Sequence, residues 1–231
     1  MSETEAKQID EGLEIARRMA EEEEGMGRRP KGFGRYVIPI IAVAWSLFQL
    51  SVASWLILDS TFIRAIHLAF ALALVYLNIP MFKRPIFGIE YFAAKDRIPI
   101  LDYIIAALAA YSALYIAIYY EAIAMRYGMP IPMDLVFGAI LVVVLLEASR
   151  RVIGPALPVI AIFFIVYAFL GPYMPSLIAF RGTSLNRFMG QMTMSTEGIY
   201  GIPLDVSATI VFLFVLFGAM LDRAGDRKSV V

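Results

Sequence analysis

From Tyr36 onward the chain is built of uncharged apolar runs separated by short polar or Gly/Pro-rich breaks. A helix that crosses the roughly 30 Å hydrocarbon core of a bilayer needs about 20 apolar residues in succession. The first run, Tyr36–Leu58, has 23 residues and no charge, and Asp59-Ser60-Thr61 forms the turn after it. A second span is predicted over about Ile63–Phe82 and a third over about Ile100–Tyr120. The far end of the third gathers Tyr111, Tyr115, Tyr119 and Tyr120, as interfacial aromatics prefer. The uncharged part of the fourth, Leu135–Leu146, has only twelve residues. Extended to Met133–Ser149 it brings Asp134 and Glu147 near its two ends, where headgroups and water solvate them. Val152–Phe180 carries no charge in 29 residues, but Gly171, Pro172 and Pro175 divide it, leaving a fifth span over about Pro155–Leu170. Between Arg181 and Tyr200 the pattern changes. Leu185, Phe188, Met189 and Met192 recur at i, i+3, i+4, i+7 with polar residues between them, as in an amphipathic helix lying in the interface. A sixth span follows Gly201 and Pro203, over about Leu204–Leu221.

Residues 1–35 read as a cytosolic tail. Ser2 and Glu5 fit a capping box, Ile9, Leu13, Ala16 and Ala20 recur at helical spacing, and Gly25, Gly27, Pro30, Gly32 and Gly34 end that helix before the membrane. The fold class predicted is an all-α integral membrane protein. It has about six transmembrane helices, an N-terminal cytosolic helix and one interfacial amphipathic helix. Lysine and arginine set its orientation. With a cytosolic N-terminus, the inner segments hold 16 of them and the outer segments four, namely Arg64, Arg126, Arg181 and Arg187. Both termini are therefore expected in the cytosol, with the chain a multi-pass protein of the cell (inner or plasma) membrane.

Composition sharpens this picture. The chain is 60% hydrophobic and 17% charged over 231 residues, against roughly 45–50% and 25% for soluble domains. Twenty basic and twenty acidic residues cancel, which leaves no electrostatic case for nucleic acid. Without cysteine there are no disulfides or thiolate nucleophiles, and the one histidine, His67, excludes a multi-histidine metal site. No GxSxG, HExxH or P-loop string occurs, and the acidic residues nearest the spans sit toward opposite ends of different helices. No catalytic residue, resident metal or cofactor is expected, and an enzyme is not the reading favoured.

Ionisable groups near the spans remain the best leads, since a charge at mid-bilayer costs roughly 2.5–3.5 kcal/mol on insertion scales. Glu147 has Arg150 and Arg151 one turn away at i,i+3 and i,i+4. They read either as a charged contact to another domain or lipid headgroup, or as a stop-transfer end with local compensation. Asp134, after the Gly128–Pro132 turn, fits a helix cap, with substrate contact as the alternative. Arg64 and His67 share one face of the second span, where a lone histidine reads as a helix–helix hydrogen-bonding group, or else a proton relay. Gly201 and Pro203 before the last span form either a tight turn or a hinge with free backbone groups.

Several strings, taken in order, resemble one family. They are Arg126-Tyr127-Gly128-Met129-Pro130 ahead of Asp134, then Leu146-Glu147-Ala148-Ser149-Arg150-Arg151, and Gly154-Pro155-Ala156-Leu157-Pro158 leading to Tyr167–Gly171. The last is Thr196–Pro203 running into Val206-Ser207-Ala208-Thr209 and Phe212–Ala219. Over roughly Ile63–Gly225 the chain is similar to the fused membrane permease of tripartite ATP-independent periplasmic (TRAP) transporters, TAXI branch. That resemblance implies a cytosolic tail over 1–35 and a small four-helix membrane domain over 36–151. It also implies a connector helix over 152–175 and the beginning of a large transport domain over 176–231. It implies a secondary transporter in which an extracytoplasmic binding protein delivers an organic anion and sodium is the coupling ion. The partners implied are that binding protein, the remainder of the large transport domain and membrane lipid. The family's sodium and substrate sites match no residue here, so none is assigned, and the chain alone is expected to transport nothing. A membrane anchoring or assembly protein, or a nonfunctional fragment, is the alternative.

Overall fold

The computed structural model describes residues 27–28, 30–32, 34–82, 96–126 and 129–224. The expected cytosolic helix before residue 27 lies outside them. Everything regular among the described residues is helical: α1 (Gly34–Ser54), α2 (Ser60–Asn78), α3 (Ile100–Ile118), α4 (Tyr120–Met125), α5 (Pro132–Val152), α6 (Ala156–Leu170), α7 (Leu185–Thr193), α8 (Ile202–Val206) and α9 (Phe212–Ala224). A 3₁₀ turn at Gly171–Tyr173 follows α6, and a π-helical segment at Ser207–Val211 joins α8 to α9 into one apolar rod. Among the described residues six helices are long and apolar enough to cross a membrane: α1, α2, α3, α5, α6 with its 3₁₀ turn, and the α8–α9 rod. The protein is membrane-embedded and all-helical.

Its core is the α2–α3 pair, with α5 laid across both. Ala65, Leu68, Ala69, Leu72 and Tyr76 make the inward stripe of α2, and Ala106, Ala109 and Ala113 that of α3. Small side chains at one-turn spacing let two backbones approach closely, which matters in lipid because no hydrophobic effect drives helices together there. Tyr76, fully buried, donates its hydroxyl to the Val144 carbonyl of α5 at 2.6 Å. By contrast α1, α6 and the α8–α9 rod present most of their apolar surface outward.

Helix ends differ from the hydropathy boundaries for local reasons. The first span stops at Ser54 rather than Leu58. Ser46 and Ser51 bond the carbonyls four residues back, and Leu56 N reaches Ser51 O at 2.8 Å, a wider closing turn. The second span starts three residues early, at Ser60, because Asp59 accepts the Thr61 amide at 2.8 Å. It ends at Asn78, not Phe82, because Ile79 precedes Pro80 and is held extended. At Tyr119 the third span breaks and continues as the short α4. Met133–Ser149 lengthens to Pro132–Val152, until Gly154 at φ 110° turns the chain away. Only Leu185–Thr193 of the expected interfacial segment is helical, and it buries Phe188, Met189 and Thr193, with Met189 and Thr193 lying against Gly138 of α5.

The Asp59 cap gives a first test. The Thr61 amide holds its carboxyl below the ordinary aspartate value, so capping is complete above that value and fades as pH falls through the lowered one. Asp59→Ala is expected to cost about 0.5–2 kcal/mol, toward the lower end because the site is exposed, while Asp59→Asn keeps most of the stability. Thermal unfolding of the two variants at pH 7 checks it. Equal losses would mean the carboxyl does not cap the helix.

Candidate functional site

Among the described residues polar side chains converge at four places. The largest cluster lies where the C-terminal ends of α2 and α5 meet the N-terminal end of α3. Pro80 has no amide hydrogen and the chain turns extended before it, so the last carbonyls of α2 have no helical donors. Arginines supply them. The Arg28 amide donates to Asn78 O (2.7 Å), and its Nη1 to Tyr76 O (3.3 Å) and Leu77 O (3.4 Å). Arg151 Nη1 donates to Ile79 O (3.2 Å) and Arg150 Nη2 to Met81 O (2.9 Å). Cations at this pole also meet the negative end of the helix dipole.

Two carboxylates offset two of the three positive charges. Asp102 takes Arg28 Nη2 at 2.5 Å on one oxygen and Arg151 Nη1 at 3.0 Å on the other, and all three side chains are at most 1% exposed. Glu147 takes Arg150 through both oxygens (2.6 and 2.7 Å) and Arg151 Nε at 3.0 Å. The Arg151 guanidinium also lies 4.6 Å from the Tyr76 ring centroid, a cation–π contact out of water. Glu147, Arg150 and Arg151, picked out in sequence, are thus brought together; Arg151 turns onto the end of α2 and Arg150 onto Met81 just beyond it. Sequence spacing did not reveal Arg28 or Asp102. The available signal was Asp102 itself, a carboxylate at the start of a predicted span, which requires a partner.

At the opposite pole Asp134 is nearly buried. It accepts Arg126 Nη2 (3.0 Å) and Nε (3.3 Å), the Tyr115 hydroxyl (2.7 Å) and the Ile131 amide (3.0 Å). The last bond is the reach-back half of a capping box, so the cap expected of Asp134 is present in this geometry. Arg126 and Asp134 border a cavity of about 290 Å³ that Asn186, Arg187 and Gln191 of α7 complete.

Beside it, Arg64 of α2 reaches across to the last span. Its Nε meets Asp205 at 2.8 Å and its Nη1 the Tyr200 carbonyl at 2.7 Å. Tyr200 is fully buried and donates its hydroxyl to Ala113 O of α3 at 2.8 Å. Burial pushes its phenol above the ordinary tyrosine value, so it remains a donor at any physiological pH. Gly201 and Pro203 open α8, with Leu204 and Asp205 amides bonded to Gly201 O at 3.1 Å, so this segment is a tight turn. Between the poles His67 joins three helices. Its Nδ1 is 2.5 Å from the Gln49 amide nitrogen and its Nε2 3.4 Å from Ser207 Oγ in the π segment. An amide nitrogen only donates, so Nδ1 accepts and the Nε2 hydrogen points to Ser207.

These contacts join helices, and they place each sequence-selected residue in a helix joint rather than in one common centre. Among the described residues no three His, Cys, Asp or Glu side chains gather as a metal site would need. Set beside family models, curated proteins and solved structures, the chain matches none of them.

Proposed function

We propose that this chain is the membrane scaffold of a TRAP-type secondary transporter. In this reading it belongs to a system that takes up an organic anion handed over by an extracytoplasmic binding protein, with sodium as the coupling ion. Two things support the reading: the ordered strings between Ile63 and Gly225, and the joint between Arg64, Asp205 and Tyr200. The joint carries the argument. It ties the last span and its Gly201–Pro203 turn to α2 and α3, so that the four-helix unit and the first helix of the transport domain form one fixed frame. A moving transport element needs such a frame to move against. The outward apolar faces of α1, α6 and the α8–α9 rod are then surfaces for lipid and for the rest of the permease. The orientation we adopt puts both termini and the arginine layer on the cytosolic side.

Reconstitution tests this. The purified chain in liposomes, with a sodium gradient and its cognate binding protein, is expected to give no uptake above empty vesicles. Adding the remainder of the large transport domain is expected to give sodium-dependent uptake. Robust uptake by the chain alone would overturn the scaffold reading, as would sodium-independent uptake by the completed system.

A further inference from the structure

At the inner pole, beside the arginine layer, the segment before α1 and the first turns of that helix form a basic cleft of about 470 Å³. Arg28, Pro30, Lys31, Gly32, Arg35, Ile38 and Pro39 line it. Its base is fixed rather than loose. The Arg28 amide is bonded to Asn78 O (2.7 Å) and the Lys31 amide to Asp96 O (2.8 Å). Gly32 turns the chain at φ 68°, and Gly34 sits so close to Pro30 and Ile98 that a Cβ would lie 3.0 and 3.2 Å from them. The Arg28 side chain is occupied by Asp102 and the α2 carbonyls. Lys31 and Arg35 are different. Both are exposed, both line the cleft, and neither forms an ion pair with any described residue. Among the described residues no carboxylate lines the cleft.

Two cations that line one cleft and pair with no carboxylate among the described residues, at the level where a span enters the bilayer, match an anionic headgroup. The surface below matches acyl chains. From Pro39 in the cleft wall, Val43, Leu47 and Leu50 follow at three- and four-residue spacing as an exposed apolar stripe along α1. We propose that this cleft is a binding site for an anionic phospholipid, with Lys31 and Arg35 holding the headgroup phosphate and the α1 stripe taking a chain. The site needs only that α1 spans the membrane and does not depend on the transporter reading. In the orientation adopted above it faces the cytosolic leaflet.

The test uses the full chain in zwitterionic detergent, titrated with phosphatidylglycerol or phosphatidylcholine and read by native mass spectrometry. Each basic residue at an anionic surface corresponds to about fivefold in affinity, so Lys31→Gln/Arg35→Gln is expected to weaken phosphatidylglycerol binding about 25-fold. Lys31→Arg/Arg35→Lys, which keeps both charges, should bind as the unmodified chain does and so shows that loss is not misfolding. Arg181→Gln/Arg187→Gln, at the other pole, should change nothing. Equal binding of the two lipids, or no loss in the Gln double variant, would overturn the site. Displacement of the lipid by millimolar inorganic phosphate would also overturn it, by showing a free-anion site instead.

Discussion

Asp102→Ala is expected to be the most destabilising single change in the inner charged layer, at about 3–5 kcal/mol. The carboxylate and both its partners are essentially inaccessible, so water cannot replace it. Removing it leaves Arg28 and Arg151 buried with one fewer negative charge, and the lost pairing is only part of the cost. The larger part is desolvated positive charge that was neutralised before. Two other variants separate this from loss of hydrogen bonds in general. Arg151→Gln gives up a cation–π contact and a bond to Ile79 O, yet leaves Asp102 with Arg28 and Glu147 with Arg150. Glu147→Gln removes the charge facing both Arg150 and the Arg151 Nε, but Arg151 keeps Asp102 and the Arg150 guanidinium is 34% exposed and hydrates, so the cost falls toward the 0–1 kcal/mol of a surface pair. The order of loss is therefore Asp102→Ala, then Arg151→Gln, then Glu147→Gln. Thermal unfolding in detergent, followed by the fluorescence of Trp45 and Trp55, measures it. A Glu147→Gln loss equal to that of Asp102→Ala would show that burial does not govern this layer.

The contrast between these residues also shows what sequence could reveal. The spans were legible as apolar runs near the length a bilayer demands, although the uncharged part of the fourth has only twelve residues and charges sit near the ends of the second and third. Glu147, Arg150 and Arg151 were legible because one helical turn joins them. Partners far apart in sequence were not. Asp102 lies 74 residues from Arg28 and 49 from Arg151, and Arg64 lies 141 from Asp205. Spacing carries no information across such gaps, and only packing of α2, α3 and α5 brings the groups together. Helix ends were misplaced by a few residues wherever a side chain, and not hydropathy, decided them. Asp59 started α2 early, and the ring of Pro80 ended it early. The π segment at Ser207–Val211 left no trace in the apolar pattern, since an inserted residue shifts a helix face without changing its composition.

Gly198→Ala is expected to destabilise the joint to the last span by about 1–3 kcal/mol, toward the upper end of what overpacking usually costs. A Cβ there would lie 2.5 Å from Gln191 O, Met192 Cα and Met192 O. All three are main-chain atoms at the end of α7, so no side-chain rotation relieves the clash and the turn itself must lift away. That turn is held by Ile199 N to Met192 O at 2.9 Å and Gly201 N to Gly198 O at 3.0 Å. Two residues on, Tyr200 places its carbonyl on Arg64 and its hydroxyl on Ala113, and Asp205 follows one turn into the rod. Lifting the turn therefore loosens the Arg64 contacts without touching Arg64. Gly190→Ala is the control. Nothing lies within 4 Å of its Cβ, and alanine in a helix gains up to about 1 kcal/mol over glycine, so it should be neutral or stabilising. A double-mutant cycle gives the second readout: Arg64→Ala should cost less in the Gly198→Ala background than in the unmodified chain, because the contact is already loosened. Gly198→Ala as stable as Gly190→Ala, with additive losses in the cycle, would mean that the turn does not position the last span.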